Sequence, residues 1–131
     1  LLSETGSFVL LDWRQNFGGL IQSGDMYYDL AKLNHNLVVN HGIISDNLFL
    51  IEKNKDVITA DIHRRQSLID CQELYHRWLV ESGYDLRKVK VLTCLIWLNM
   101  SGLHHHPLDE FLYYFGKYNL YRVLQDDQYM I

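Results

Sequence analysis

Between Val89 and Met100 a helix would be apolar on nearly every side, through Val89, Val91, Leu92, Leu95, Ile96, Leu98 and Met100. A helix without a polar face has no side to give to water, so it belongs at the centre of its domain with other elements packed around it. The run is too short to cross a bilayer, which takes roughly 18 consecutive apolar residues, and Thr93 and Asn99 interrupt it. Asp85 stands where an N-cap is needed, and Gly102 where the helix must stop.

The partners of this central helix are written on either side of it. From Asp61 to Ser82 the spacing predicts a long helix whose apolar face is Leu68, Cys71, Tyr75, Trp78 and Leu79, stopped by Gly83. Pro107 sits where proline is tolerated, in the first turn of a last helix containing Phe111, Leu112 and Phe115. Upstream, Ser23 or Asp25 can cap a helix from about Met26 to Asn40, ended by Gly42, with Leu30, Leu33, Leu37 and Val38 as its buried stripe. Leu48 to Lys53 and Val57 to Ala60 read as a β-hairpin around Asn54-Lys55-Asp56. A second hairpin is expected at the start, from Leu1-Leu2-Ser3 and Phe8 to Asp12 about Glu4-Thr5-Gly6-Ser7, with Asp12 at the strand end and Asn16-Phe17-Gly18-Gly19 as the loop that follows. The expected fold class is α+β, predominantly α-helical, in one domain without repeats or low-complexity linkers.

Charge and cysteine content narrow the function classes. With 12 Lys and Arg against 16 Asp and Glu, a net charge of -4 is a poor match for a phosphate backbone, so nucleic acid is not an expected partner. Cys71 and Cys94 fall in helical patterns where a thiol acts as a small hydrophobe, and nothing calls for an oxidising compartment. No basic-then-apolar leader and no membrane span are evident, so a cytoplasmic location is expected. The chain opens on Leu1-Leu2 inside a strand-like pattern, which reads as the continuation of a longer polypeptide.

One stretch speaks to chemistry. Phe8-Val9-Leu10-Leu11-Asp12-Trp13-Arg14-Gln15-Asn16-Phe17-Gly18-Gly19 delivers a carboxylate to a strand end, and Gly24-Asp25-Met26-Tyr27-Tyr28-Asp29-Leu30-Ala31-Lys32-Leu33 then opens a helix carrying further acids. Strand-end aspartates are common in turns, and a capped turn is the ordinary reading of Asp12 taken alone. Together, however, the two halves resemble the region after the catalytic loop in aminoglycoside phosphotransferase and choline kinase-like enzymes. The resemblance covers Phe8 to about Val39 and implies the C-terminal lobe of a protein-kinase-like fold. It implies that Asp12 is the catalytic acid that binds magnesium and, through it, the phosphates of ATP. Asp25 and Asp29 match acids of the Gly-Asp-x-x-x-Asp-Leu-Ala helix and are carried over as structural supports. Arg14 and Gln15 could reach a phosphate or the acceptor, although loop polars of this kind are ordinarily just exposed.

By that resemblance the expected activity is ATP-dependent transfer of the γ-phosphoryl group to a small-molecule hydroxyl acceptor such as a sugar, an aminoglycoside or choline. The family's His-x-Asp-x-x-x-x-Asn loop and its ATP-clamping lobe do not occur in these residues, so the segment alone is expected to be inactive. The alternative is a non-catalytic pseudokinase or helical interaction module, and a second rival is a metal-binding helical domain built on His104-His105-His106. Three consecutive imidazoles cannot all converge on one ion, so a structural or substrate-facing loop is the favoured reading of that triplet. His63 and His76 read as helix-surface residues. Tyr113, Tyr114, Phe115, Tyr118 and Tyr121 could cage a quaternary ammonium, but core packing is the commoner fate of aromatics at helical spacing.

Overall fold

The computed structural model describes Gly6 and residues 16–125. The hairpin expected over Leu1 to Asp12 lies outside the described residues apart from Gly6. Within them the chain is mixed α+β and mostly helical: α1 Met26–Val38, α2 His41–Ser45, β1 Phe49–Asn54, β2 Val57–Ile62, α3 Gln66–Glu81, α4 Leu86–Ser101 and α5 Leu108–Leu124.

Helix α4 takes the central place that its composition demands. Asp85 caps it, its Oδ1 accepting from the Lys88 N–H at 3.0 Å, and α1, α3 and α5 all pack against it. Val89, Thr93, Cys94, Ile96 and Trp97 are buried, whereas Leu95 remains exposed. Against this face α5 lays Phe111, Leu112 and Phe115, with the Trp97–Phe115 and Phe111–Phe115 ring centroids 4.9 and 5.0 Å apart. Such tilted and offset aromatic contacts add to the apolar burial that drives the packing. Helix α5 comes closest at Gly116, where a Cβ would stand 3.2 Å from Leu98 Cγ and Trp97 Cβ and 3.3 Å from the Cys94 carbonyl oxygen.

A smaller cluster of Tyr75, Leu79 and Val89 joins α3 to α4, with Tyr27, Leu30 and Leu37 of α1 against it. Helix α3 starts at Gln66 and not at Asp61, because Asp61 and Ile62 belong to β2, paired with Leu50 and Phe49. Its buried face is also rotated from the expected one: Gln72, Tyr75 and Leu79 point inward, while Cys71 and Trp78 are exposed. Its end is as expected. Gly83 at φ +79 lets its own N–H reach the Val80 carbonyl and the Tyr84 N–H reach that of Leu79, the paired bonds of a Schellman turn.

Two expectations for the first helix are corrected. Gly42 does not end it: α1 finishes at Val38, and Asn40 caps the short α2, its Oδ1 accepting from the Ile43 N–H, with Gly42 inside that helix. The stripe is corrected at one position: Leu33 is 49% exposed, whereas Val38 is buried and Leu30 and Leu37 pack on the Tyr75, Leu79 and Val89 cluster; Ala31, Asn34 and His35 are buried as well. The β1–β2 hairpin forms where expected, in antiparallel register with Asn54 opposite Val57, and it stands on α5. Phe49 packs on Phe111, and Lys53 Nζ reaches Glu110 Oε1 at 2.7 Å. No helix among the described residues is long and apolar enough to cross a membrane.

The α4–α5 approach gives a direct test. All three neighbours of a Gly116 side chain are backbone or near-backbone atoms of a packed helix, so they cannot swing away. Gly116→Val is therefore expected to lower unfolding free energy by about 2–3 kcal/mol despite removing a helix-interior glycine, as measured by urea denaturation.

Candidate functional site

The N-terminus of α1 is the described end of the segment that carries Asp12 in the sequence, and it is firmly mounted. Just before it, Phe17 and Leu20 exchange both backbone hydrogen bonds, Phe17 N–H to the Leu20 carbonyl at 2.8 Å and Leu20 N–H to the Phe17 carbonyl at 3.0 Å. The two residues between them, Gly18 and Gly19, have φ of +57 and +90, the paired positive values that a two-residue turn of this hand requires. Asn16 Oδ1 adds a bond from the Gly19 N–H at 2.7 Å. The Phe17 ring then meets Tyr28 edge-on at 5.9 Å and lies against Gly24, tying the turn to the helix start.

Asp25 is the cap of α1, its Oδ1 accepting from the Tyr27 N–H at 2.9 Å. The first turn is in turn held by the α3–α4 junction. Tyr27 OH accepts from the Asp85 N–H at 3.1 Å, Lys88 Nζ sits 3.9 Å from the centre of the Tyr27 ring, and the Tyr84 ring meets Tyr27 edge-on. A cation over an aromatic face contributes about 0.5–1 kcal/mol at exposed sites, so this junction is bound by more than contact area.

The residues expected to carry chemistry fall into distinct groups. Asp12, Arg14 and Gln15 lie outside the described residues. Asp25 and Asp29 are both exposed in the first turn of α1, where negative charge favours the helix dipole. Among the described residues no group of three or more His, Cys, Asp or Glu side chains is placed to hold a metal ion. His104, His105 and His106 lie exposed in the α4–α5 connection, with His106 Nδ1 3.7 Å from Glu110 Oε2.

The aromatic cage is not formed as a unit. Phe115 is buried in the core, while Tyr113, Tyr118 and Tyr121 are exposed. Lys117 lies over Tyr113, Arg122 over Tyr118 and Lys53 over Tyr114, so cations of the chain itself take up three of these faces. Two histidine expectations are corrected as well. His63 follows β2, its N–H donating to the Leu48 carbonyl, and is not on a helix; His76 is on α3 but half-buried and hydrogen-bonded.

What pattern reading missed is a polar network between helices. Asn34, fully buried on α1, donates from Nδ2 to Thr93 Oγ1 of α4 at 3.0 Å. Its Oδ1 accepts from Gln72 Nε2 at 3.0 Å and from His76 Nε2 at 2.8 Å, both on α3. Arg64, between β2 and α3, extends the chain: its Nη2 donates to Gln72 Oε1 at 2.8 Å and to the Leu37 carbonyl at 2.9 Å. Tyr75 OH donates to the Leu30 carbonyl, and burial pushes its pKa up to about 12. The one clue in the sequence was Asn34 and Gln72 standing at core spacing within apolar stripes.

Burial holds His76 down to about 4, helped by the positive charges of Lys90 and Arg64, and holds His35 down to about 4, helped by Lys32. Both imidazoles are thus neutral at pH 7. Cys94 is pushed up to about 12 by burial, which rules out a ready thiolate nucleophile there. Comparisons with protein-family models, with curated proteins and with solved structures find no match for this chain.

Two outcomes are expected from the network. Asn34→Ala strands the polar groups of Gln72, His76 and Thr93, and should lower unfolding free energy by about 3 kcal/mol in urea titrations. The histidines predict the pH response. Their pKa in the fold, about 4, lies below the unfolded value of 6.5, so the unfolded chain binds more protons below pH 6.5. Stability should be full above that value and decline toward pH 4, by about 1–3 kcal/mol in all. Denaturation midpoints across this range should flatten in His76→Gln, whose amide can still donate to Asn34.

Proposed function

We propose that this chain is the C-terminal lobe segment of an ATP-dependent small-molecule phosphotransferase, in which Asp12 would hold a magnesium ion that serves the nucleotide phosphates. The observation that carries the reading is the mounting of the Gly24-Asp25-x-x-x-Asp29-Leu30-Ala31 helix start. Asp25 caps the helix, Ala31 is fully buried against the core, and the Gly18-Gly19 turn is clamped to Tyr28 and Gly24 by Phe17. A segment that must present a carboxylate to a metal and a polyphosphate benefits from such a rigid base, because catalysis by positioning fails when the acid is loosely held. Magnesium takes one or two carboxylates together with phosphate oxygens and water, so Asp12 as a single protein ligand is chemically sufficient. When bound, the ion supplies charge stabilisation at the transferring phosphoryl group.

In this reading Asp25 and Asp29 support the mount, Arg14 and Gln15 face the phosphates or the acceptor, and a hydroxyl compound is the substrate. The rival reading, a helical interaction module without catalysis, draws support from Leu74 and Trp78, which stand exposed one turn apart on α3. The two differ in what Asp12 does. In the polypeptide that carries this segment behind a His-x-Asp-x-x-x-x-Asn loop, Asp12→Asn keeps shape and loses charge. Turnover is expected to fall by a factor on the order of a hundred or more with the melting temperature little changed. Steady-state kinetics at saturating magnesium and a thermal melt decide it: near-normal turnover removes Asp12 from the mechanism.

A further inference from the structure

Three half-buried basic side chains stand around the Asn34 network. Asn34 of α1 accepts from His76 on α3 and donates to Thr93 on α4, and Lys90 stands one turn before Thr93 on the same side of α4, so His76 and Lys90 border one seam between the helices. Arg64 joins them through Gln72, one turn before His76 on α3, whose Oε1 accepts from its guanidinium at 2.8 Å.

No acid answers these charges. Among the described residues neither Arg64 nor Lys90 makes an ion pair, and the Arg64 Nε donor is enclosed without a hydrogen-bond partner. The charges that act on His76 are those of Lys90 and Arg64, both positive. Desolvation lowers the pKa of Arg64 and of Lys90, as expected of cations taken partly out of water without compensation. A chain with a net charge of -4 has acids to spare, yet among the described residues none pairs with these cations. Uncompensated half-buried cations are costly, and they are the state a site is left in when its counter-charge comes from a ligand.

We propose that Arg64, His76 and Lys90 form a binding site for a phosphate-class oxyanion, free phosphate or a phosphate monoester group. Two full positive charges call for more than a single negative one. A carboxylate would leave one cation unanswered, whereas a phosphate monoester carries roughly -1.5 to -2 near neutral pH and offers several acceptor oxygens. Arg supplies directional N–H donors, Lys a point charge, and the imidazole lies beside both. The rear of the site is fixed: Gln72 and Asn34 hold Arg64 and His76 through the helix network, so little ordering remains to be done on binding. This inference does not depend on Asp12 or on phosphoryl transfer.

The test is a thermal melt of this chain with inorganic phosphate, against sodium chloride and sodium acetate at matched ionic strength. Near-saturating phosphate should raise the midpoint by on the order of 3–5 °C beyond either control. Lys90→Met is the decisive variant, since it relieves an unpaired desolvated cation and so should fold at least as stably. Its midpoint without phosphate should equal or exceed that of the parent, and the phosphate-dependent rise should vanish. Lys55→Met, at the exposed hairpin turn, should keep the full rise. The proposal is overturned if phosphate does no more than chloride, if acetate does as much as phosphate, or if Lys90→Met retains the rise.

Discussion

The amide of Asn34 is the interaction on which the arrangement of the helices depends. Apolar faces can slide along one another at small cost, but an amide buried among three helices cannot. Its oxygen is shared by Gln72 and His76 of α3 and its nitrogen is given to Thr93 of α4. A register shift in any one helix would strand several polar groups in a region of low dielectric constant, so the bonds select one arrangement from several of similar apolar burial. The angle and height of α1 follow from this, and with them the position of its capped first turn over the α3–α4 junction. Helix α5 is located separately, by the close approach at Gly116 and the aromatic stack on Trp97.

How much of this could be read from the sequence divides along a physical line. The α4 and α5 helices, the β1–β2 hairpin and the caps at Asp25 and Asp85 depend on neighbours within a turn or two, and local pattern identifies them. The start of α3 was misplaced because Val57 to Ile62 pair with β1, and strand pairing is decided by residues on another strand. Leu33 departs from the expected stripe of α1 for a related reason. Asn34 is buried because Gln72 and Thr93 await it, partners that no window of the sequence contains, whereas Leu33 is left facing solvent. Of the candidate site, the helix cap at Asp25 was legible from residue type and position. The three basic residues were not, since Arg64, His76 and Lys90 stand on separate parts of the chain and act on one another only once α3 and α4 have packed.

The placement of charge shows why net charge is a blunt descriptor. Asp25, Asp29 and Asp85 sit at helix caps or on exposed faces, while Arg64, His76 and Lys90 are half-buried and basic. A fold can therefore be acidic overall and still present a local, partly dry positive field. Field strength at a recognition surface depends on such local arrangement and on the low dielectric behind it far more than on the sum over the chain.

The hairpin standing on α5 gives the chain a place where its length can change. Phe49, Ile51, Ala60 and Ile62 pack on the helical core, and Lys53 reaches Glu110. The hairpin's turn at Lys55 and Asp56 is exposed. Extra residues between those two positions would close a longer loop at a small entropic cost and leave the helical core untouched. The same tip is accordingly a natural point at which a peptide, a fluorophore or an entire small domain could be grafted onto this scaffold.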